Sequence, residues 1–574
     1  MARLPAVAAV VALLCVPAGT PVALLGVPAG APGALARTPA LTGAADPSAT
    51  PGLARFYEQR LSWARCGPDV RQSARSQGDT APPGFYDRLE CARLTVPRDY
   101  GHPERTALQV QLVRLPATGP GKRLGSLVLN PGGPGASGVN YLIGSGSAFA
   151  RPGQRYDLVS FDPRGTGRTE PVSCGSRLAP PPGNAADDSL AAKEKRINEA
   201  CGRYSGGLLP WVGTTEVARD MDVLRAAVHD DKLNYLGFSY GTKLGAVYAH
   251  EFPDKVGRMV LDGVEDPTKN TWQTALAQAR GFQRALDDFA ADCIRAADCP
   301  LGPDDGRAQD QLLRWYQELT DTPLTVRGRT VDETTYVYAL REALYSRNDW
   351  PALRQALAQL RRGDGAGILR LSDIGGSRAP KSSRAADAGQ NADGNPAADS
   401  SKATHHGKAR GGTAVAVPPR AGIPPRRTGQ DDELPPQDQL ALRAISCRDT
   451  SERYGAADYP RAERELTRAS PLFGPDIAPT LLDCYAWPVA GDDSSRDVAA
   501  PDAPPMLLVA TTNDPATPYQ GALNMARALD NSSVVLTFRG EGHAAYATGD
   551  ACVQAHVDRF LMDGALPRRG TSCG

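Results

Sequence analysis

The residues best suited to chemistry are a serine, an aspartate and a histidine that follow one another along the chain. Ser239 lies in Gly237-Phe238-Ser239-Tyr240-Gly241, between the apolar run LNYLGF and a helical pattern. A G-x-S-x-G sequence between a strand and a helix is typical of a nucleophile elbow. The two glycines allow the sharp turn that exposes the hydroxyl. We therefore predict that Ser239 is a nucleophile.

A serine hydroxyl needs a base, and behind such an elbow the order along the chain is serine, acid, histidine. His543 fits because it lies in the glycine-rich loop RGEGHAAY, directly after an apolar run. The other histidines after the serine are poorer candidates, since they lie too far along the same helix, in a low-complexity segment or in a helical pattern: His250, His405, His406 and His556. We predict that His543 is the general base.

The acid that orients the histidine should lie in a loop after the preceding strand. Asp514 fits this position in MLLVATTNDPATPYQGA, although an aspartate before a proline also commonly forms a turn. Asp262, at the end of VGRMVLDG, is the alternative acid position. Glu541 is interpreted as a loop charge. We predict that Asp514 is the orienting acid.

Acyl transfer also needs two backbone N–H groups directed at the developing oxyanion. The residue after the nucleophile, Tyr240, supplies one. The second is expected from SLVLNPGGPGASG, where Gly132 and Gly133 follow an apolar run and leave room for a substrate carbonyl. We favour Gly133, with a simple loop turn as the alternative interpretation.

The elements that position these residues are short apolar runs, each followed by turn residues and a helical pattern. This order predicts an α/β fold with a mostly parallel sheet and helices on both faces. The predicted strands cover 126–130, 156–161, 233–238, 258–262, 506–511 and 534–538. The long interval between the fourth and fifth of these strands predicts an inserted helical lid.

The expected organisation has five parts. Residues 1–36 resemble a cleaved export signal, because an apolar run is followed by Ala34-Leu35-Ala36. A flexible segment (37–54), the first part of the core (55–267), the lid (268–437) and the second part of the core (438–574) follow. The stretch 376–437 within the lid lacks large apolar residues and is predicted to be disordered. The breaks in the signal by proline and glycine argue against a retained membrane span.

The chain has eleven cysteines, of which Cys15 would leave with the signal. The remaining even number predicts disulfides in an oxidising compartment. Pairing between sequence neighbours is the simplest hypothesis: Cys66–Cys91, Cys174–Cys201, Cys293–Cys299, Cys447–Cys484 and Cys552–Cys573. The sequence contains no C-x-x-C pair, which is the ligand spacing typical of a zinc site. The 64 basic and 64 acidic residues also give no net field that would attract nucleic acid.

The motifs together resemble the secreted tripeptidyl aminopeptidase branch of the prolyl aminopeptidase family of α/β-hydrolases. The matching sequences are CARLTVPRDY, LVLNPGGPGASG, YDLVSFDPRGTGRTEPVSC, LGFSYGTKLGAVYAHEFPDKVGRMVLDGVEDP, AISCRD, TTNDPATP and GEGHAAY. They span roughly Trp63 to Cys573 in the expected order. The insert at 376–437 departs from the family pattern.

The resemblance implies a secreted enzyme that releases short peptides from a free N-terminus through an acyl-enzyme. It implies no metal or organic cofactor, and peptide substrates as partners. Enzymes of this type recognise the substrate ammonium with acidic side chains, for which Glu265 and Asp266 are the candidates; capping and turn formation are alternative roles. The same machinery would also serve a carboxylesterase acting on small acyl esters. A binding protein without activity is a third hypothesis. The oligomeric state is not predicted.

Overall fold

The computed structural model describes residues 52–68, 70, 84–178, 189–302, 304–374 and 434–574. The predicted signal at 1–36, with Cys15, lies outside the described residues. So do residues 37–51 of the segment that follows it and residues 376–433 of the predicted insert.

A ten-stranded sheet forms the centre of the described structure. In chain order the strands are β1 (Ala64–Arg65), β2 (Glu90–Pro97), β3 (Ala107–Leu115), β4 (Gly125–Asn130), β5 (Tyr156–Phe161), β6 (Leu233–Phe238), β7 (Val256–Asp262), β8 (Leu324–Val326), β9 (Arg329–Val331), β10 (Leu507–Asn513), β11 (Val534–Glu541) and β12 (Ser572–Cys573). The sheet order is β1-β2-β3-β5-β4-β6-β7-β10-β11-β12, while β8 and β9 form a separate antiparallel pair. In the order of the sheet, every pairing along β5-β4-β6-β7-β10-β11-β12 is parallel. The mostly parallel sheet predicted from the sequence is confirmed.

The helices are, in chain order, α1 (Ala54–Tyr57), α2 (Gly138–Ser145), α3 (Leu190–Ser205), α4 (Thr214–Ala227), α5 (Tyr240–Glu251), α6 (Thr271–Ile294), α7 (Asp305–Asp321), α8 (Glu333–Leu344), α9 (Trp350–Leu360), α10 (Ala366–Ile374), α11 (Gln437–Arg448), α12 (Tyr459–Ala469), α13 (Gly474–Ile477), α14 (Gln520–Leu529) and α15 (Ala551–Asp563).

Helices pack on both faces of the sheet, as the α/β-hydrolase fold requires. Successive strand residues point to opposite faces. Val128 of β4 therefore packs with Met221 and Tyr248 of α4 and α5. Its neighbour Leu127 packs with Leu142 of α2 on the other side. Every residue of β4 is buried, which explains the apolar run from Leu127 to Leu129 at its centre.

Two stretches of chain, 271–374 and 459–482, share one apolar core, and we call this helical unit the lid. Phe282 and Leu340 of the first stretch pack in this core with Leu466 and Phe473 of the second. From the sequence, 459–482 was expected to belong to the second part of the core (438–574). Helix α12 buries only Ala462 and Leu466, so its apolar stripe is too short to indicate which layer it packs against.

Five disulfides link the ten described cysteines, and all five predicted pairs are confirmed. They join Cys66 to Cys91, Cys174 to Cys201, Cys293 to Cys299, Cys447 to Cys484 and Cys552 to Cys573. The neighbour rule succeeds because each pair closes a short loop whose two ends return to the same layer of the fold.

Candidate active site

Ser239 occupies the turn between β6 and α5, at the carboxyl edge of the parallel strands. Its backbone has φ 56° and ψ −127°, a conformation that a residue with a side chain adopts only under strain. The turn is held from both sides, because the Ser239 N–H donates to the carbonyl of Asp262 at 3.0 Å and its own carbonyl accepts from the amide of Thr242 at 2.8 Å. Ser239 is half-buried, so its hydroxyl remains accessible.

The glycines on either side of Ser239 are needed for close backbone approach. A Cβ on Gly237 would lie 2.5 Å from the carbonyl oxygen of Gly241. A Cβ on Gly241 would lie 2.8 Å from Oδ1 of Asn130. Both distances are shorter than a methyl group tolerates, so the G-x-S-x-G spacing follows directly from the geometry of the turn.

Asp514 and His543, which lie at the ends of β10 and β11, are hydrogen-bonded to each other. Nδ1 of His543 lies 2.9 Å from Oδ2 and 3.0 Å from Oδ1 of Asp514. The Asp514 carboxylate is 1% exposed and also accepts from the amides of Ala516 and Thr517 at 2.9 and 2.8 Å. This bond leaves Nε2 of the imidazole available for proton transfer.

Ser239 and His543 both lie against the backbone of Asp262 and Gly263. A Cβ on Gly263 would lie 3.1 Å from Cε1 of His543, and the preceding residue accepts the Ser239 N–H. Within the described residues the Ser239 hydroxyl makes no hydrogen bond to the imidazole. Such a contact commonly tightens only in the substrate complex.

Thr517 was not predicted from the sequence as part of the site. Its hydroxyl donates to Oδ2 of Asp514 at 3.0 Å and lies 3.2 Å from Nδ1 of His543. The available signal was local, because an aspartate whose carboxylate accepts amides two and three residues later is a common turn. Such a turn brings the side chain of the third residue after the aspartate, here Thr517, back to the carboxylate.

Two buried carboxylates determine the protonation of His543. Burial opposes the charged imidazole, but the charge and hydrogen bond of Asp514, with a further contribution from Asp262, raise the pKa of His543 above its ordinary value. Burial raises the pKa of Asp262 to about 6, against the opposing effect of hydrogen bonds from the amides of Tyr546 and Ala545. Asp262 therefore lies near the imidazole but binds the backbone of the histidine loop, whereas Asp514 binds the ring.

The candidate oxyanion donors lie beside the serine. Tyr240 begins α5, so its N–H has no acceptor within the helix. A Cβ on Gly132 would lie 3.0 Å from both Cβ of Ser239 and N of Tyr240, which places the glycine loop directly against the turn of Ser239. The N–H of Gly132 donates to Oδ1 of Asn130 at 2.9 Å. The N–H of Gly133 has no hydrogen-bond acceptor among the described residues.

Glu265 and Asp266 follow β7 but lie in different surroundings. The Asp266 carboxylate accepts from Thr268 and Asn524 and pairs with Lys269. The side chain of Glu265 accepts no hydrogen bond within the described part of the chain. Burial raises the pKa of Glu265, and Lys243 opposes this effect.

Cys552, His556 and Cys573 are potential metal ligands that lie within 4.8 Å of one another. The two cysteines are joined in a disulfide, so His556 alone keeps a free ligand atom. No metal site follows from this group.

Two protein-family models match the chain. The one described as alpha/beta hydrolase fold covers residues 125–360, which include Ser239. The one described as TAP-like protein covers residues 470–573, which include Asp514 and His543.

Serine protease Hip1 of Mycobacterium tuberculosis is 34% identical over 551 residues, which cover 91% of this chain and 93% of Hip1. The chain belongs to the TAP-like α/β-hydrolase family. A second relative of this α/β-hydrolase, carboxylesterase B of M. tuberculosis, is 32% identical over 563 residues, or 93% of this chain and 94% of that protein. Tripeptidyl aminopeptidase of Streptomyces coelicolor is 29% identical over 507 residues, or 84% of this chain and 83% of that protein. This TAP-like α/β-hydrolase is an enzyme, a serine hydrolase of the peptidase type.

Proposed function

We propose that this enzyme is an exported serine aminopeptidase that releases short peptides, including tripeptides, from the free N-termini of peptides. The observation that carries the proposal is the buried Asp514 carboxylate bonded to Nδ1 of His543 at 2.9 Å, at the same sheet edge as the strained turn of Ser239. The resemblance to tripeptidyl aminopeptidase, 29% identical, supports the choice of substrate.

In the proposed mechanism, Oγ of Ser239 attacks the scissile carbonyl while Nε2 of His543 takes its proton. The N–H groups of Tyr240 and Gly133 stabilise the oxyanion. His543 then gives the proton to the leaving amine, and the C–N bond breaks to leave an acyl-enzyme. Water, deprotonated by His543, hydrolyses the ester and restores the serine. Asp514 stabilises the imidazolium in both steps.

We further propose that Glu265 selects substrates with a free ammonium group. Lys243 donates to Oδ2 of Asp449 at 3.1 Å, and its charge opposes the burial that raises the pKa of nearby Glu265. One lysine thus faces two carboxylates, and a substrate ammonium would supply the missing positive charge. Asp266 already has Lys269 as its partner, so it is the weaker candidate.

Export fits the same function. Five disulfides are typical of proteins in oxidising compartments. Among the described helices, none has the length and apolarity to cross a membrane. We propose that residues 1–36 direct secretion and are then removed.

A carboxylesterase is the second candidate function, because carboxylesterase B is 32% identical over 93% of this chain. The proposed triad and oxyanion donors would hydrolyse an ester by the same steps.

The test compares kcat/KM for a free tripeptide anilide, its N-acetylated form and a short-chain nitrophenyl ester. An aminopeptidase cleaves the free anilide far faster than the acetylated one, and Glu265→Gln reduces this preference whereas Asp266→Asn preserves it. Ser239→Ala measures the background. Hydrolysis of the ester alone would replace the peptidase proposal with the esterase.

A further inference from the structure

The lid contacts His543 directly through Tyr345, the residue after α8. The His543 N–H donates to the carbonyl of Tyr345 at 2.8 Å. The neighbouring residues Ser346 and Gly542 form an isolated antiparallel bridge. The Tyr345 ring packs edge-on against the imidazole, with centroids 5.2 Å apart and planes at 77°. One lid segment therefore makes both backbone and ring contacts with the histidine loop.

The contacts of Tyr345 restrain pivoting of the His543 imidazole, which the hydrogen bond to Asp514 does not restrain by itself. That bond fixes Nδ1 but leaves the ring free to pivot about it. On the side of the sheet, the backbone of Gly263 closes the space, since a Cβ there would lie 3.1 Å from Cε1 of His543. On the side of the lid, the Tyr345 ring closes it. The imidazole is thus held between the core and the lid.

Tyr345 is itself held by the lid core. Its ring lies 5.7 Å from that of Phe282 on α6, which lies 5.4 Å from that of Phe473 on the second lid stretch. A row of aromatic rings therefore connects the lid core to His543. The Tyr345 hydroxyl makes no hydrogen bond within the described ranges, so the contact with His543 depends on the ring and the backbone.

We propose that Tyr345 is a positioning residue for His543, so that the lid forms part of the catalytic framework. The ring and the carbonyl of Tyr345 keep Nε2 directed at Ser239. The inference rests on the proposed function, in which His543 is the base. Removal of Tyr345 should therefore slow the chemical step even for substrates too small to reach the rest of the lid.

The first test measures kcat and KM of Tyr345→Ala and Tyr345→Phe on a short-chain nitrophenyl ester and on a tripeptide anilide. A misplacement of about 1 Å costs on the order of 10²-fold in rate. We expect Tyr345→Ala to lower kcat by about this factor on both substrates with little change in KM, and Tyr345→Phe to restore it. The downfield proton resonance of the His543 Nδ1–H should broaden or shift in Tyr345→Ala only.

A second pair of variants tests the backbone contact. Gly542 has φ +102°, and a Cβ there would lie 2.7 Å from the carbonyl oxygen of Tyr345. Gly549, in the same loop region, has φ +84° with nothing within 4 Å of its Cβ position. Both alanine variants adopt an unfavourable φ, but only Gly542→Ala pushes against Tyr345. We expect kcat to fall in Gly542→Ala and to stay near wild type in Gly549→Ala.

The outcomes separate this inference from the proposed function. A His543→Ala variant that keeps wild-type activity would remove the proposed base. If His543→Ala is inactive but Tyr345→Ala has an unchanged kcat, the positioning role alone is overturned. If Tyr345→Ala raises only KM, Tyr345 is a substrate contact instead, and the positioning role is likewise overturned. If Tyr345→Ala shows no cooperative melting, the two glycine variants decide: equal kcat in both overturns the inference.

Discussion

The carbonyl of Asp262 accepts the amide N–H of Ser239 at 3.0 Å. The carboxylate of the same residue accepts the amides of Ala545 and Tyr546 at 2.8 to 3.1 Å. The end of β7 therefore fixes both the turn of the candidate nucleophile and the loop of the candidate base. Asp262, the alternative acid position, therefore supports the site through its backbone contacts and its charge. Its carboxylate makes no hydrogen bond to the imidazole among the described residues.

Asp262→Asn should shift the acid limb of the pH profile to lower pH. Above about pH 6 the Asp262 carboxylate carries a charge that helps to raise the pKa of His543. Removal of this charge lowers the pKa of the imidazole, which then stays neutral, and active as a base, in more acidic solution. The measurement is kcat/KM against pH. Asp483→Asn is the matched control, because Asp483 is half-buried and desolvation likewise raises its pKa to about 6, but this carboxylate pairs with Arg443; its variant should leave the limb in place. An unmoved limb in Asp262→Asn would remove Asp262 from the electrostatics of the site.

Ser239→Ala and Asp514→Asn should lose activity to different extents. Loss of a serine nucleophile costs on the order of 10⁶ in turnover, and an asparagine in place of the triad acid costs about 10⁴ because the imidazole adopts the wrong tautomer. Kinetics and labelling with a fluorophosphonate probe test both variants. Ser239→Ala should not label, whereas Asp514→Asn should label slowly. Wild-type turnover in either variant would contradict its assigned role.

Thr517→Val should reduce kcat by about tenfold, as expected for loss of a hydrogen bond to a charged group. The valine keeps the volume but removes the hydroxyl that donates to Oδ2 of Asp514 at 3.0 Å. Thr517→Ser retains the hydroxyl and should remain within a few-fold of wild type. Equal kcat in both variants would show that the hydroxyl does not support the Asp514–His543 pair.

Removal of the disulfide between Cys174 and Cys201 should destabilise the protein more than removal of that between Cys293 and Cys299. The first closes a separation of 27 residues and the second one of 6. The chain-entropy model gives about 3.6 and 2.2 kcal/mol respectively. Double alanine variants and their melting temperatures test this order. Free thiols in the denatured, unreduced mature protein would contradict the pairing itself.

The sequence was sufficient where the signal is local. The turn at Ser239 could be predicted because a strand, two glycines and a helix within one short segment already define it. The contact between Asp514 and His543 could be predicted because each follows an apolar run, and the ends of parallel strands meet at one edge of a sheet. The disulfides also followed a local rule, since each of the five bonds joins two cysteines that follow one another along the described chain.

The sequence was insufficient where distant segments meet. Tyr345 reaches His543 only because the lid packs over the end of β11, and no periodicity in either segment records that approach. Residues 459–482 joined the lid core for the same reason, because a short amphipathic helix fits either layer. Gly133 is favoured over Gly132 from the sequence, but the hydrogen bond that occupies the Gly132 N–H, to Oδ1 of Asn130, is not predicted by spacing.

The positions of the disulfides determine the covalent continuity of the enzyme. Each of the five bonds among the described residues closes entirely before or entirely after residues 375–433. A single peptide bond cut within 375–433 would divide the protein into two polypeptides with no covalent link, one carrying Ser239 and the other carrying Asp514 and His543. The cut enzyme would be held together by the pairing of β7 with β10 and by the shared lid core. It would migrate as two bands on a denaturing gel even without reductant.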